Sequence, residues 1–482
     1  MGSDDEVVVD RELATLQEIS IKSGPWLEPA EIRRRGRNRR LRRRGGVVGT
    51  ALVVLVLLAL LVPLRFGGRT NPNANLHVAA RLGAALQLVS ATGLAAPASA
   101  GSTSKAVAQS EQQLSLSLLK QISSTNPGTS NIVVSPLSLA TAVAMLELGA
   151  EGATETQIAA TLGTTELTAE QQAAGWSALS AELAAVGASD GIALQSANSL
   201  WLQKGLAMDP TFMSGLSRYF ASGVWQVDFA SDPVAAVAAL NAWVTGETHG
   251  RITSLFAPGT ITNQTALVLA NAVYFKAAWE QPFMGVTVAG SFHLPDGTSA
   301  TVPFMHTPSL GPLDVLVSTA SGVDAVQLPY TGGHIAALVI MPTSGSLSNL
   351  TGSLTAAGLD RIVSGMKSSS IDLAMPTLSL SDTHELIPTL KNLGMRDAFD
   401  GDANLSGMSP VPLVVTDVVQ KATLDVSAWG TEATAATGIS VATAGRLPSM
   451  ALAIDHPFLF LIRDVQTGMI LFEAQVDNPG AG

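Results

Sequence analysis

An α+β fold is expected from the sequence, and three observations carry that expectation. Continuous apolar runs rich in β-branched and aromatic residues, such as ALVLANAVYF at Ala266–Phe275, have the length and composition of buried strands. Helical apolar patterns lie among them, the clearest being LATAVAMLELGA after Ser135-Pro136. Between Lys105 and Pro479 no regular strand–helix–strand rhythm, repeat or low-complexity break interrupts the chain. Sheets and surrounding helices are therefore expected to share one domain, residues 105–482.

Residues 1–46 form a tail with nine arginines between Arg33 and Arg44. Val47–Leu64 follows with no charged residue, about 27 Å as a helix and long enough for a bilayer core. Arginines on the near side keep the N-terminus cytoplasmic, and the closest Ala-x-Ala, Ala98-Ser99-Ala100, is too distant for ordinary signal cleavage. The expectation is an uncleaved signal anchor: a single-pass cell-membrane protein with an extracellular body. Residues 65–104, rich in Gly, Asn, Pro, Ala and Ser, are expected to be a flexible linker with a short helix in AARLGAALQLV. Beyond it, Ser110–Ile122 reads as a helix, Ile132–Val134 as a strand, and the helix opened by Ser135-Pro136 stops at Gly149. Ala235–Thr245 reads as a helix and Ile335–Met341 and Phe458–Ile462 as strands. Thr467-Gly468 turns the chain into the strand MILFEAQV.

Composition excludes several functions. With no cysteine there is no disulfide scaffold, thiol nucleophile or Cys-ligated metal. Residues 1–69 carry 13 basic and 8 acidic side chains; residues 70–482 carry 14 and 30, a net −16 that would repel phosphates, so no nucleic-acid partner is expected. The seven histidines are scattered, and no GxSxG, HExxH or Walker loop occurs. Neither enzymatic activity nor a cofactor or metal is expected.

Six collinear blocks resemble the serpin family: Asn131–Leu162, Leu240–Phe256, Leu267–Phe283, Leu390–Phe399, Val418–Thr437 and Asp455–Pro479. The resemblance implies three β-sheets, about nine helices and an exposed reactive-centre loop near the C-terminus. It also implies a monomeric suicide-substrate inhibitor whose partner is a serine protease. The protease forms an acyl-enzyme on the loop, and the cut loop then inserts into the main sheet before hydrolysis. Gly430, Thr431, Glu432, Ala433, Thr434, Ala435, Ala436 and Thr437 match the hinge that starts this insertion. A strand sliding between two others needs small, β-compatible residues and no proline, which this run supplies. Alternation would bury Thr431, Ala433, Ala435 and Thr437 and leave Glu432 and Thr434 in water.

Ser135, Ser138 and Asn271 match the family's shutter, with Gln420 in place of its histidine. Gln has a donor and an acceptor and could close the same network without titrating. Trp279 matches the tryptophan of the breach, where the loop enters. Counting from Gly430 places the scissile bond at Ala444–Gly445. Counting back from Pro457 places it near Arg446–Leu447. The first suits an elastase- or subtilisin-like pocket, the second a trypsin-like one. Ala428 and Trp429 depart from the family's acidic loop base and keep an alternative open: a non-inhibitory, membrane-tethered binding or chaperone-like protein.

Overall fold

The computed structural model describes residues 87–89, 101–126, 131–307, 313–432, 448 and 450–481. The anchor expected at Val47–Leu64, hinge positions Ala433–Thr437 and both candidate bonds, Ala444–Gly445 and Arg446–Leu447, lie outside them. No helix among the described residues is long and apolar enough to cross a membrane.

The chain begins with β1 (Gln87–Val89), α1 (Ser102–Thr125), β2 (Ile132–Val134), α2 (Pro136–Glu147), α3 (Gly152–Leu162), α4 (Ala169–Asp190) and β3 (Ala193–Gln203). Next come α5 (Pro210–Phe220), β4 (Val224–Val227), α6 (Pro233–Glu247), β5 (Leu267–Ala278), β6 (Val288–His293), β7 (Ser299–His306), β8 (Leu313–Ser318), β9 (Val323–Pro329) and β10 (Ile335–Pro342). The last part contains α7 (Leu347–Ser353), α8 (Ala356–Ser364), β11 (Lys367–Pro376), β12 (Leu378–Glu385), α9 (Ile387–Asn392), β13 (Val415–Ser427), β14 (Gly430–Thr431), β15 (Met450–Ala453), β16 (Phe458–Asp464) and β17 (Ile470–Val476). The helical starts follow from capping chemistry. Ser135 accepts from the Ser138 amide with Pro136 at the first helical position, Thr168 and Gln171 form a capping box, and Asp232 caps α6 ahead of Pro233.

A seven-stranded sheet has the order β1-β4-β3-β5-β14-β13-β12, with β5 and β13 also paired directly. The other strands join one ten-stranded sheet. Three sheets were expected; among the described residues there are two, because the β8–β9 hairpin pairs Leu316–Ser318 with Ala325–Gln327 and makes the second sheet continuous. A second correction concerns the stretch read as a short helix in the linker. Its last three residues, Gln87–Val89, are a strand paired antiparallel to Val224–Gln226, where backbone pairing on an open sheet edge overrides a weak local helical pattern. Helix α1 likewise starts at Ser102, well before the expected Ser110.

The core lies between the sheets and around α2, eleven of whose twelve residues are buried. On the other face of the seven-stranded sheet, α6 packs Leu240, Trp243 and Val244 over Trp201 and Trp225. Trp201 stacks on Trp225 at 5.5 Å and meets Trp243 edge-on at 5.5 Å. This clamp places α6 and the loop after it over the outer face of the sheet, opposite α2.

A buried acid at the end of α2 is one of the groups that make stability depend on pH. Burial, then repulsion from Glu155, pushes the Glu147 carboxyl up to about 8, against a smaller opposing effect of the nearby Gln172 amide. A raised pKa favours the neutral form, so its contribution is complete below about 4.5 and is lost as pH rises through about 8. Buried Glu111 and Glu473 contribute a decline of the same sign, so Glu147→Gln is expected to remove only its own share, leaving the variant roughly 2–4 kcal/mol more stable relative to wild type at pH 8.5 than at pH 4.5. Denaturant midpoints at the two pH values check this; equal pH slopes for the two proteins would refute it.

Candidate functional site

The site is built where β5 and β13 diverge. From Leu267 to Tyr274, β5 pairs in parallel with β13 from Val415 to Thr423. Above that point they are separated by β14. Gly430 and Thr431 pair antiparallel with Ala278 and Ala277 on one side and with Ser427 and Val426 on the other. The main sheet is thus closed along most of its length and holds two residues of a central strand at its open end.

Local chemistry explains this arrangement. Ala428 and Trp429 form a two-residue turn from β13 into β14, braced by the Ser427 hydroxyl, which donates to the Gly430 carbonyl (3.1 Å) and accepts from the Trp429 amide (3.3 Å). Gly430 has φ 142°, and a Cβ there would lie 2.1 Å from the Ala277 carbonyl oxygen, so only glycine fits. Ala428 is buried and its carbonyl accepts from the Phe283 amide at 2.9 Å. A methyl group packs there without the partner a carboxylate would need. Trp429 lies against Gly285, where a Cβ would come within 2.7 Å of the indole.

Beneath this point the Trp279 indole N–H donates to the Ser427 carbonyl (2.9 Å), and its amide donates to the Trp429 carbonyl (3.1 Å). Trp279 stacks on Tyr330 at 4.4 Å and 10°. The Tyr330 hydroxyl hydrogen-bonds the Thr431 hydroxyl at 2.6 Å, and both residues are fully buried. Burial raises the Tyr330 pKa far above the ordinary tyrosine value, so this hydroxyl stays protonated.

Thr431 faces inward, as alternation implied. Glu432 does not stay in water: its side chain is only 5% exposed and pairs with Arg251 at 3.2 Å. Tyr274 hydrogen-bonds the same carboxylate, and the Glu432 amide donates to the Asp425 carbonyl at 2.8 Å. The expectation failed because it considered only the sheet, while the loop after α6 covers this part of its outer face.

Lower down, the polar residues picked out by sequence meet in one network. Gln420 accepts from the Ser135 amide (2.9 Å) and donates to the Ser135 carbonyl (2.9 Å) and to Asn271 Oδ1 (2.7 Å). Asn271 donates to Ser138 Oγ at 2.5 Å and also to Asn198 Oδ1, which accepts from Ser138 Oγ at 2.8 Å. Ser135 Oγ donates to the Leu471 carbonyl at 2.6 Å, tying β17 of the second sheet to the start of α2. Gln420 uses donor and acceptor together. Asn198, Asn271 and Gln420 lie in register across β3, β5 and β13.

Sequence reasoning missed Asn198, Tyr330 and Arg251. Asn198 was visible as a polar residue inside the strand ALQSANSLWLQ, and Tyr330 as one of only three tyrosines. Nothing local to Arg251 signals its pairing, which depends on long-range geometry. Among the described residues no group of three or more His, Cys, Asp or Glu could hold a metal.

Comparison with known proteins gives this geometry a family. The serpin (serine protease inhibitor) family model matches residues 109–479. The leukocyte elastase inhibitor of Bos taurus is 31% identical over 358 residues, 72% of this chain and 93% of that protein. Serpin-Z1C of Triticum aestivum is 34% identical over 390 residues, 77% and 95%. The solved structure of mouse protein-Z dependent protease inhibitor superposes with a TM-score of 0.68 at 26% identity, covering 78% of this chain and 98% of that one. The chain belongs to the serpin family.

Proposed function

We propose that this serpin inhibits serine proteases by suicide cleavage, acting as a monomer held outside the cell by a signal anchor at Val47–Leu64. The protease's serine oxygen attacks the loop carbonyl, an ester forms as the amide breaks, and the freed hinge enters the main sheet before water cleaves the ester. One observation carries this reading: Gly430 and Thr431 already pair with both β5 and β13, antiparallel to each, at the end where those strands stand apart. Continuing this register downward would set Val441 opposite Leu267, with no proline before Pro448.

Relatives named as inhibitors of leukocyte elastase support a protease partner with a small side-chain pocket, which Ala444 at the scissile position suits. The test is incubation of the full chain, in mild detergent, with elastase-like, subtilisin-like and trypsin-like proteases. A covalent complex on a denaturing gel is expected, with release of a C-terminal fragment whose first residue, Gly445 or Leu447, identifies the bond. Clean cleavage without any complex would favour the non-inhibitory binding role. For the anchor, protease added to intact cells should remove the body and leave the Arg33–Arg44 tail protected; a shielded body would reverse the orientation.

A further inference from the structure

The described chain leaves the main sheet at Glu432, and it does so in an unusual conformation. Glu432 has φ 48°, the left-handed region, although it is not glycine. Its amide still donates to β13 through the Asp425 carbonyl, so the departure from extended backbone is at this residue itself. A left-handed non-glycine residue persists only where its surroundings hold it.

Those surroundings are specific. The carboxylate meets the Arg251 guanidinium at 3.2 Å and the Tyr274 hydroxyl of β5. The guanidinium also sits 5.7 Å from the centre of the Tyr274 ring. Arg251 is itself held by a stiff loop. Its amide donates to the Thr248 carbonyl (3.0 Å), and the next amide, Ile252, donates to the buried Thr248 hydroxyl (3.0 Å). Asn241 of α6 accepts from the Leu255 and Phe256 amides, at 2.8 and 2.9 Å. The loop presents one cation, Arg251, directly to Glu432.

Full insertion would require Glu432 to abandon φ 48° for an extended backbone, with Lys276 and Asp425 as its neighbours in the continued register. The pairing with Arg251 is made in the kinked form. We infer that Arg251 is a positioning residue that arrests the hinge at Thr431, holding Glu432 in its kink and so setting the barrier to further insertion. This rests on the insertion mechanism proposed above. Burial raises the Glu432 carboxyl, against the Tyr274 hydrogen bond and the Arg251 charge, so acid should weaken the latch. The other charged groups acting on it are Asp425 and Lys276.

The chain has no cysteine, so Thr434→Cys in the full-length protein provides a unique site for an environment-sensitive dye within the hinge, at a position that alternation leaves facing solvent. Cleavage of the loop should change its fluorescence as the hinge enters the sheet. Arg251→Ala is expected to accelerate that change about tenfold, equivalent to about 1.4 kcal/mol of barrier. Arg251→Lys should stay within about threefold of the parent, because a cation remains. Glu432→Gln should accelerate insertion to a similar extent, and the double variant should be no faster than either single one, since both remove the same contact. An insertion rate unchanged by Arg251→Ala, or additive effects in the double variant, would refute the latch. Failure of insertion itself would look different: cleavage would then change neither the fluorescence nor the thermal midpoint of the parent protein.

Discussion

Thr431→Arg is expected to turn this inhibitor into a substrate. Thr431 is fully buried between Ala277 and Val426, with its hydroxyl on Tyr330. The groups beneath it are aromatic, Tyr330 stacked on Trp279 and edge-on to Phe275, and Tyr330 stays neutral, so an arginine pointing inward would meet no counter-charge. Burying an unpaired guanidinium costs several kcal/mol. In the uncleaved protein the side chain can escape by withdrawing the two-residue strand β14, at modest cost to stability. After cleavage there is no escape, because insertion has to pass through this position. Acylation should remain fast, since Thr431 lies far along the chain from Ala444 and Arg446, while insertion falls behind hydrolysis. The outcome depends on a difference between two barriers, so about 1.4 kcal/mol already shifts it tenfold. The measurement is the number of inhibitor molecules consumed per protease silenced, expected to rise at least about tenfold. Thr431→Val, which loses only the Tyr330 hydrogen bond, should stay near wild type. If Thr431→Arg traps protease as efficiently as wild type, insertion is not the mechanism.

The fold was legible wherever burial left a pattern in the residues. The apolar run at Leu267–Ala278 became the central strand β5, and Ser135-Pro136 opened α2 because side-chain capping and a proline at the first helical position are local signals. The shutter was legible for a different reason. Ser138, Asn271 and Gln420 were marked by the family resemblance, and because a buried polar side chain must find partners they meet in one network; Asn198, which the resemblance did not mark, went unnoticed as one more polar residue in a strand. Two features could not be read in this way. The strand at Gln87–Val89 owes its state to an open edge offered by Val224–Gln226 over a hundred residues away. The Glu432–Arg251 pair joins a sheet to a loop from the other side of β5, and neither residue's neighbours in sequence suggest it. The sharpest structural detail, a hinge already two residues into the sheet, follows from both kinds of cause. Gly430 is a local requirement, while the contacts of Thr431 and Glu432 are wholly tertiary.

Cleavage of the loop between Ile439 and Leu447 is expected to raise the thermal midpoint by roughly 15–20 °C. The register of β14 defines what is gained. Thr431 opposite Ala277 and Val426 continues to Val441 opposite Leu267 and Thr416, the lower ends of β5 and β13. About ten residues after Thr431 would thus acquire partners on both sides. The direct ladder between Leu267–Tyr274 and Val415–Thr423 would be exchanged for two antiparallel ones. Each net backbone hydrogen bond contributes on the order of 1 kcal/mol. The inward positions, Ala433, Ala435, Thr437, Ile439 and Val441, add apolar burial without any large side chain. Against this stands the hydrogen bond from Gln420 to Asn271, which spans β5 and β13 and must break when they part. Asn271 keeps Ser138 and Asn198, and Gln420 keeps Ser135, so the loss is one contact rather than the network. The uncleaved chain cannot make this exchange freely, because its loop is tied at both ends, and its lower stability is therefore maintained by a barrier. Calorimetry of the intact and cleaved full chain measures the difference. An unchanged midpoint after clean cleavage would mean that the loop does not enter the sheet, and the inhibitory mechanism would fall with it.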